Sequence, residues 1–288
     1  MICKRCKSAT AIIALPSHNT GFCEACFHDF FSAQVARGIE TARLFTHEDR
    51  ILVALSGGKD SLGLMLELSR QGYDVTGLHI DLGIPGSSEV TRGVVERFCA
   101  KHGFRLIIKE MEKEGLAIPR VKARLKRPVC SACGKIKRHF FNRTALEEGY
   151  TVLATGHNLD DEIARLFSNT LRWDVGYLSD QGPRLDSEDG FARKVKPFWR
   201  LTEFETATYA FLEDIEHHHT PCPYSTGASF TFYKGLWNQL EEAMPGRKMA
   251  FYTDFLQRGR EAFKALSTKE GDPLFPCSRC GYPTSSGV

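Results

Sequence analysis

The sequence contains no apolar run long enough to cross a membrane, and its first residues, Met-Ile-Cys-Lys-Arg-Cys, contain no hydrophobic signal-peptide segment. We therefore expect a cytoplasmic protein with no membrane partner. The net charge is only +3 and the charged fraction is 25%, so the composition is that of a globular protein rather than a disordered one. A chain of 288 residues provides for one large domain or two moderate ones.

Acidic residues are absent from the range 116–143, where lysines and arginines are frequent. Such a basic segment can neutralise the phosphates of a nucleic acid. A solvated helix face is the alternative, and composition alone favours neither. The basic residues are Arg120, Lys122, Arg124, Lys126, Arg127, Lys135, Lys137, Arg138 and Arg143.

Disulfide bonds are not expected, because the 10 cysteines occur mostly as C-x-x-C pairs, which in a cytoplasmic chain are typical of metal sites. Cys3, Cys6, Cys23 and Cys26 have the spacing of a zinc ribbon, in which two tight turns supply four thiolates. A segment this short cannot bury a core of its own. We therefore expect Zn²⁺ to provide its folding free energy.

The pair Cys130 and Cys133 has no second C-x-x-C pair to complete a zinc site, and its partner is the single Cys222. Three cysteines can hold three irons of a [4Fe–4S] cluster and leave the fourth iron open for a substrate atom. A zinc site that adds one histidine from the range 217–219 is the alternative. At the carboxyl end, Cys277 and Cys280 lack two further ligands, so a second zinc site there is incomplete.

The usual phosphate loop, G-x-x-x-x-G-K-[ST], is also absent. Instead, a short apolar run at 51–55 leads into Ser56-Gly57-Gly58-Lys59-Asp60-Ser61 and then into a helical pattern. Two glycines at a strand-to-helix turn let backbone N–H groups converge on an anion, and the helix N-terminus adds its partial positive charge. Lys59 and the two serine hydroxyls add further donors. We predict that this loop binds ATP.

Apolar runs alternate with helical patterns after residue 50, which predicts an α/β fold with an open parallel sheet. The predicted strands are 51–55, 75–80, 104–109 and 151–155, and the predicted helices include 61–71, 88–102 and 135–148. Ligands of such sheets bind beyond the carboxyl ends of the strands. Apolar residues at helical spacing also indicate a helical carboxyl-terminal part. These are Leu236, Leu240, Met244, Phe251, Phe255, Phe263 and Leu266.

Two more strand ends carry polar residues beside the ATP loop. His79 and Asp81 end the second strand, where His79 either contacts the nucleotide or is satisfied by a local hydrogen bond. Gly156, Asp160 and Asp161 follow the fourth strand. The two carboxylates either bind Mg²⁺ or transfer a proton, or they cap the helix that begins there.

These motifs together resemble the tRNA 2-thiouridine synthetases of the TtuA/Ncs6 type, which belong to the TtcA/TtuA family of PP-loop ATP pyrophosphatases. The resemblance covers almost the whole chain, and the amino-terminal ribbon favours this branch over the tRNA 2-thiocytidine enzymes. Family members usually have a complete second zinc ribbon near the carboxyl end, whereas only one pair is present here. The motifs are the four-cysteine ribbon, the loop 56–61, Cys130 to Arg138, Gly156 to Glu162, Lys196-Pro197, Cys222 and Cys280-Gly-Tyr-Pro-Thr.

The resemblance implies a domain order and a reaction. It predicts a zinc ribbon at 1–30, a connecting helix at 31–48, a PP-loop domain of the adenine nucleotide α-hydrolase type at 49–225, and a helical extension at 226–288. ATP would adenylate the C2 carbonyl oxygen of a tRNA uridine, at position 54 or 34, before sulfur replaces that oxygen. Cys130, Cys133 and Cys222 would hold a [4Fe–4S] cluster, and Lys137 and Asp161 would be catalytic.

The resemblance also implies partners and leaves alternatives open. Sulfur would come from a ubiquitin-like carrier protein ending in a thiocarboxylate, or from free sulfide, and relatives are typically homodimers. A persulfide on one of the three cysteines is a rival route for the sulfur. Two other functions fit parts of the sequence. One is a different PP-loop ligase or amidotransferase with zinc on the three cysteines, and the other is a non-catalytic RNA-binding protein.

Overall fold

The amino-terminal unit is a small hairpin followed by a long helix. In the computed structural model, residues 1–126, 128–187, 190–225, 229–267, 275–278 and 283–284 are described. Strands β1 (Ile13–Leu15) and β2 (Thr20–Phe22) pair antiparallel around a 3₁₀ turn. Helix α1 spans Glu24–Thr41, so it begins within the range predicted for the ribbon and includes Cys26.

The central sheet has six strands and is mostly parallel, which confirms the predicted α/β fold with an open sheet. Five strands are parallel, and the short β7 joins the edge antiparallel to β8. The spatial order is β5-β4-β3-β6-β8-β7. In chain order the strands are β3 (Arg50–Leu55), β4 (Asp74–Asp81), β5 (Leu106–Glu110), β6 (Val152–Ala154), β7 (Arg184–Leu185) and β8 (Arg193–Val195).

The four predicted strands are confirmed within a residue or two at each end, whereas β7 and β8 were not predicted. Helices connect the strands on both faces of the sheet. Helix α5 begins at Cys130, five positions before its predicted start, because the cysteine-containing turn has no apolar periodicity. The helices are α2 (Lys59–Arg70), α3 (Ser88–His102), α4 (Ile118–Ala123), α5 (Cys130–Glu147), α6 (Leu159–Leu171), α7 (Val175–Asp180) and α8 (Glu203–Leu212).

The carboxyl-terminal part is helical, as its apolar spacing predicts. Helices α9 (Ser229–Ala243), α10 (Arg247–Asp254) and α11 (Arg260–Leu266) follow one another, with a π-helical turn between the last two. Two short strands, β9 (Phe275–Pro276) and β10 (Pro283–Thr284), pair antiparallel near the end. Among the described residues, no helix combines the length and apolar content that a membrane span requires.

One continuous hydrophobic cluster joins the hairpin, α1 and one face of the sheet. Phe31 of α1 stacks on Tyr209 of α8 with a centroid distance of 4.0 Å. The indole N–H of Trp199 donates to the carbonyl oxygen of Gly38 at 3.1 Å. Because these contacts cross from the amino-terminal unit to the main domain, the ribbon is packed as part of one core.

Candidate active site

A cavity of about 490 Å³ lies at the carboxyl ends of β3, β4 and β6. Its walls come from the ATP loop, the two polar strand ends, α5 and the segment before α9. The sequence-predicted residues that line it are Ser56, Asp60, Ser61, His79, Cys133, Lys137, Gly156 and Cys222. The structure thus brings the predicted nucleotide site and two of the three cluster cysteines to one place.

Hydrogen bonds of the Ser61 hydroxyl group fix the conformation of the ATP loop. The Ser61 hydroxyl donates to the carbonyl oxygen of Gly58 at 2.9 Å and accepts the backbone N–H of Ser56 at 3.1 Å. Gly57 has φ +81°, and a Cβ there would meet the carbonyl oxygen of Thr91 at 3.2 Å. Only glycine takes up this backbone conformation without strain. The loop is therefore a preformed, concave backbone surface suited to phosphate.

Gly156 lets the β6–α6 segment touch the start of α2. A Cβ at this position would lie 2.7 Å from the carbonyl carbon and oxygen of Asp60 and 2.8 Å from the Ser61 nitrogen. Backbone atoms cannot rotate away as a flexible side chain can. Glycine is therefore needed at position 156 because two walls of the cavity approach each other closely there.

Lys59 and Asp60 form a contact at the edge of the loop. The Lys59 Nζ lies 2.8 Å from Asp60 Oδ2 and 3.5 Å from Glu203 Oε1. The second oxygen of Asp60, Oδ1, is buried and has no hydrogen-bond partner among the described residues. An unpaired carboxylate oxygen beside a phosphate loop fits Mg²⁺, which binds proteins through one or two carboxylates together with phosphate oxygens.

His79 presents an unpaired nitrogen to the same cavity. It is 3% exposed, and its Nδ1 donates to the carbonyl oxygen of Leu55 at 2.9 Å. Burial lowers the pKa of His79, so the ring is neutral and Nε2 is an acceptor. Nε2 is buried and has no partner among the described residues. The sequence allowed either a local hydrogen bond or a nucleotide contact for this histidine. In the structure Nδ1 makes the local hydrogen bond, and Nε2 is available for a ligand.

Several lining residues were not singled out from the sequence. His157 lines the cavity, and its Nδ1 lies 2.8 Å from the Thr155 hydroxyl. His218, which belongs to the histidine range considered above for a zinc site, also lines the cavity, and its backbone N–H donates to the carbonyl oxygen of Gly57 at 2.8 Å. His157 lies in the quoted Gly156-His157 motif, which is the signal that could have identified it. The remaining additions, Ser87, Ser88, Thr91, Thr155 and Thr220, have no distinctive sequence pattern.

Asp81 and Asp160 make structural contacts. Asp81 accepts the backbone N–H of Gly83 at 3.0 Å and lies 3.6 Å from an Arg92 nitrogen. Asp160 is 2% exposed, pairs with Lys248 and accepts the backbone N–H of Glu203 at 2.8 Å. Neither side chain is among the described residues that line the cavity. Their nucleotide-binding role remains a prediction.

Asp161 caps α6 and is bound by a lysine of α9. Its Oδ2 accepts the backbone N–H of Asn158 at 3.1 Å, which completes a capping box. Its Oδ1 lies 2.7 Å from Lys234 Nζ. Burial raises the pKa of Asp161, but the charge of Lys234 and the hydrogen bonds from Lys234 and the Asn158 backbone lower it by more, so the carboxylate stays ionised. The capping alternative is realised, and a catalytic role for Asp161 remains a prediction.

Two of the three cysteines of the predicted cluster line the cavity, and the third, Cys130, lies about one helical turn before Cys133 on α5. Cys133 and Lys137 line the cavity one helical turn apart on α5, and Cys222 faces them. Cys130 donates to the carbonyl oxygen of Tyr224 at 3.2 Å, which ties the start of α5 to the Cys222 segment. Burial raises the pKa of Cys133, Lys137 lowers it, and the nearby Cys222 and Cys130 raise it further.

The four amino-terminal cysteines form a compact group. The sulfur atoms of Cys3, Cys6, Cys23 and Cys26 all lie within 4.8 Å of one another. Sulfur ligands of one tetrahedral zinc lie at about 2.3 Å from the metal, so a group this compact suits a single ion. Within the described ranges, no other set of three or more His, Cys, Asp or Glu side chains converges in this way.

The other predicted binding features are distributed over the surface. Most basic residues of the range 116–143 are exposed, and two of them pair with Glu112 and Glu147. Arg127 lies outside the described residues. At the carboxyl end Cys277 is half-buried, and Cys280 lies outside the described residues, so the incomplete second zinc site remains a prediction.

Comparison with known protein families matches both parts of the chain. Residues 30–176 match the PP-loop domain family. Residues 2–28 match the family described as the N-terminal LIM domain of the 2-thiouridine synthetase TtuA. The first match covers the ATP loop and four of the six strands of the sheet, β3 to β6, and the second covers the four-cysteine group.

Comparison with individual proteins gives matches along nearly the full length. The chain is 41% identical to a tRNA-5-methyluridine(54) 2-sulfurtransferase of Thermus thermophilus, over 100% of this chain and 89% of that protein. It is 30% identical to the cytoplasmic tRNA 2-thiolation protein 1 of Chlamydomonas reinhardtii, over 100% and 82%. The fold superposes on the U34-tRNA thiolase NcsA of Methanococcus maripaludis, solved with its [4Fe–4S] cluster. That match has a TM-score of 0.80 and 25% identity, and it covers 98% of this chain and 92% of NcsA.

Proposed function

Since the chain belongs to the TtuA/Ncs6 family of PP-loop tRNA 2-thiouridine synthetases, we propose that it uses ATP to replace the C2 oxygen of a tRNA uridine by sulfur. The observation that carries this proposal is the single cavity shared by the ATP loop, Lys137, Cys133 and Cys222. A nucleotide bound at one end would lie beside the thiols at the other. Position 54 is the proposed target, because the 41% identical relative is named for that position.

The chemical problem is that the oxygen of an amide-type carbonyl is a poor leaving group. In the proposed reaction, uridine O2 attacks the α-phosphate of ATP, pyrophosphate leaves, and the N3 proton is lost. The adenylated oxygen then leaves as AMP when a sulfur nucleophile attacks C2. The backbone N–H groups of loop 56–61 and the positive end of α2 bind the phosphates. Lys137 stabilises the charge that develops on them.

Three further groups have roles in this scheme. Asp60 Oδ1 would bind Mg²⁺ on the phosphates, since it is buried and unpaired beside the loop. His79 Nε2 would accept a hydrogen bond from the nucleotide or the uridine. Asp161, ionised and held by Lys234, would orient the magnesium hydration shell or act as a base, as the family resemblance implies.

The donor set formed by Cys130, Cys133 and Cys222 fits a [4Fe–4S] cluster. Cys133 and Cys222 line the cavity, and Cys130 is hydrogen-bonded to Tyr224, two residues after Cys222, but the three thiols do not form a compact group of the single-ion type seen at the amino terminus. Each thiolate of an iron–sulfur cluster binds a different iron, so a wider arrangement is expected. When bound, such a cluster would supply one iron with an open position for a sulfur ligand.

The sulfur donor, the oligomeric state and the location are further parts of the proposal. We expect a ubiquitin-like carrier thiocarboxylate or free sulfide as donor, and a cytoplasmic location as in the Chlamydomonas relative. A homodimer is supported by the outer face of α9, where Phe232, Leu236 and Leu240 are exposed along one stripe. Sedimentation of the purified chain at several concentrations tests the dimer directly.

The decisive experiment is anaerobic reconstitution with iron and sulfide, followed by incubation with tRNA, ATP and sulfide. We expect about four irons per chain, 2-thiouridine at position 54 and tRNA-dependent formation of AMP. Cys222→Ser should lose both the iron and the thiolation. Cys99→Ala is the matched control, because Cys99 is buried in α3 away from the cavity and should keep both.

The alternatives give different results in the same assay. A zinc-dependent PP-loop ligase would release pyrophosphate without tRNA and would show no iron absorption. A non-catalytic RNA-binding protein would form no AMP. Full thiolation by Cys222→Ser would contradict both the cluster and the persulfide route, and 2-thiouridine at position 34 would correct the proposed target.

A further inference from the structure

A second cavity, of about 620 Å³, adjoins the first and is separated from it by α5. Cys133, Lys137 and Phe141 project from α5 into the ATP cavity, and Arg138 and Asn142 project into the second one. Phe141 lines both. We call the second space the basic cavity, because its lining includes Arg138, Arg184, Lys194, Arg260 and Lys264.

The lining also includes Asp180 and Asp186, so five cations face two carboxylates and the positive charge of the basic cavity is only partly neutralised. Arg184 lies 2.6 Å from Asp186, and Lys264 lies 2.8 Å from Glu261. Arg138 and Lys194, in contrast, form no ion pair with any acidic residue in the part of the chain that the structure describes. The basic cavity therefore has unpaired cations on two separate elements, α5 and β8.

Lys194 is a partly buried cation that has other cations near it. Its burial, with the positive charges of Lys196, Arg165 and Arg138, lowers the pKa of Lys194 to about 8, and Glu162 opposes this only in part. An ammonium group surrounded by other cations gains from the arrival of an anion. The positive field therefore favours an anionic ligand near β8.

The other lining groups indicate which anion. Two aromatic rings, Phe141 and Phe191, line the basic cavity together with the cations. Aromatic faces interleaved with Arg and Lys are typical of sites for single-stranded RNA, because bases stack on the rings while the cations bind phosphates. The cations alone would also fit the terminal carboxylate of a peptide, so the two rings are the observation that favours an RNA strand.

We propose that the basic cavity binds single-stranded nucleotides of the tRNA next to the target uridine, while that uridine enters the ATP cavity on the other side of Phe141. This inference rests on the proposed tRNA thiolation and adds a location for the RNA strand. It also assigns a function to the two faces of α5. One face would hold the reacting groups, and the other would hold the adjoining backbone.

The test measures tRNA binding by the full-length holoenzyme as a function of salt, for Arg138→Gln and Lys194→Gln. Each substitution removes one phosphate contact, so each should lower the slope of log Kd against log salt by about 1. The double variant should weaken binding on the order of tenfold at physiological salt. ATP affinity should stay at the wild-type value. Lys101→Gln is the control, since this exposed lysine of α3 lines neither cavity.

Unchanged tRNA affinity and unchanged salt slope in the double variant would overturn the inference. So would a loss of thiolation that occurs only with a carrier-protein donor and not with free sulfide, because the basic cavity would then bind a protein tail. A wild-type protein that binds tRNA but makes no 2-thiouridine contradicts the proposed function instead. In that case the salt slopes still report on the basic cavity.

Discussion

Two residues without reactive side chains define the shape of the ATP cavity. Gly57 adopts a positive φ against Thr91, and Gly156 lies against the backbone of Asp60 and Ser61. Both positions hold separate segments of chain at van der Waals distance. The reactivity of the site therefore depends on backbone packing as well as on its charged groups.

We predict that Gly156→Ala abolishes ATP-dependent AMP formation. The new Cβ would meet backbone atoms of Asp60 at 2.7 Å, so the ATP loop or β6–α6 must move. Overpacking of this kind costs about 1–3 kcal/mol of unfolding free energy. Gly235→Ala is the control, because an added Cβ in α9 meets nothing within 4 Å and should gain about 0.5–1 kcal/mol. Urea unfolding and AMP release measure both effects, and wild-type activity in Gly156→Ala would contradict the prediction.

His157 should make stability depend on pH. Burial lowers the pKa of His157 from its ordinary 6.5 to about 4. Between these two pH values the ring is neutral in the folded protein but protonated in the unfolded chain. This contribution to stability is complete above pH 6.5 and decreases as the pH falls towards 4. We expect a loss of about 1–2 kcal/mol between pH 7 and pH 5. In His157→Gln the loss of unfolding free energy between pH 7 and pH 5 should be smaller. Urea unfolding at both pH values, without ATP, measures it.

His47→Gln is the matched control for this pH effect, because it changes an exposed histidine that stacks on Tyr73. It should keep the wild-type difference in stability between the two pH values. An equally steep pH dependence in His157→Gln would show that other groups are responsible. His79, whose pKa is also lowered by burial, would be the next one to replace.

At the level of elements, acidic residues of α6 form ion pairs with the carboxyl-terminal helices. Asp160 pairs with Lys248 of α10, and Asp161 pairs with Lys234 of α9. Glu162 pairs with Lys196 at 2.8 Å and accepts the Tyr252 hydroxyl at 2.7 Å. Three consecutive acids thus connect the helix at the cavity to three other segments.

We predict that Lys234→Met destabilises the protein by about 1–2 kcal/mol and lowers thiolation without changing ATP affinity. Lys234 Nζ lies between Asp161 at 2.7 Å and Glu203 at 2.9 Å, and its loss leaves two carboxylates facing each other. Lys234→Arg should retain most of the stability and activity. Arg143→Met removes a surface pair on α5 with Glu147 and should cost only about 0.3–0.5 kcal/mol. Equal effects of the two methionine variants would contradict the prediction.

The local parts of this architecture could be predicted, because their signals are local. Strand β3, the loop 56–61 and α2 follow from an apolar run, two glycines and a helical period. Strand β8 could not be predicted, since Arg193-Lys194-Val195 has no strand pattern and becomes a strand by pairing with β6 on one side and β7 on the other. The contacts of Lys234 could not be predicted either, because they depend on how α9 packs on α6.

At the scale of the whole molecule, the ribbon and the main domain share one hydrophobic core. Phe27 and Phe31 of α1 belong to the same cluster as Leu62 of α2 and Tyr209 of α8. His18 adds a contact at 3.0 Å to Glu205 of α8. Because the four thiols that would bind Zn²⁺ lie at the start of this connected unit, loss of that ion should affect far more than the ribbon.

We therefore predict that removal of zinc lowers the melting temperature of the whole chain in one cooperative transition. Cys23→Ser should bind no zinc at the amino-terminal group and should melt earlier than the wild type, because the ribbon derives its folding free energy from the metal. Cys99→Ala keeps the four ligands and should retain the metal. Calorimetry with a zinc count distinguishes the outcomes. Two separate transitions, with the upper one at the wild-type temperature, would show that the ribbon folds independently despite the shared core.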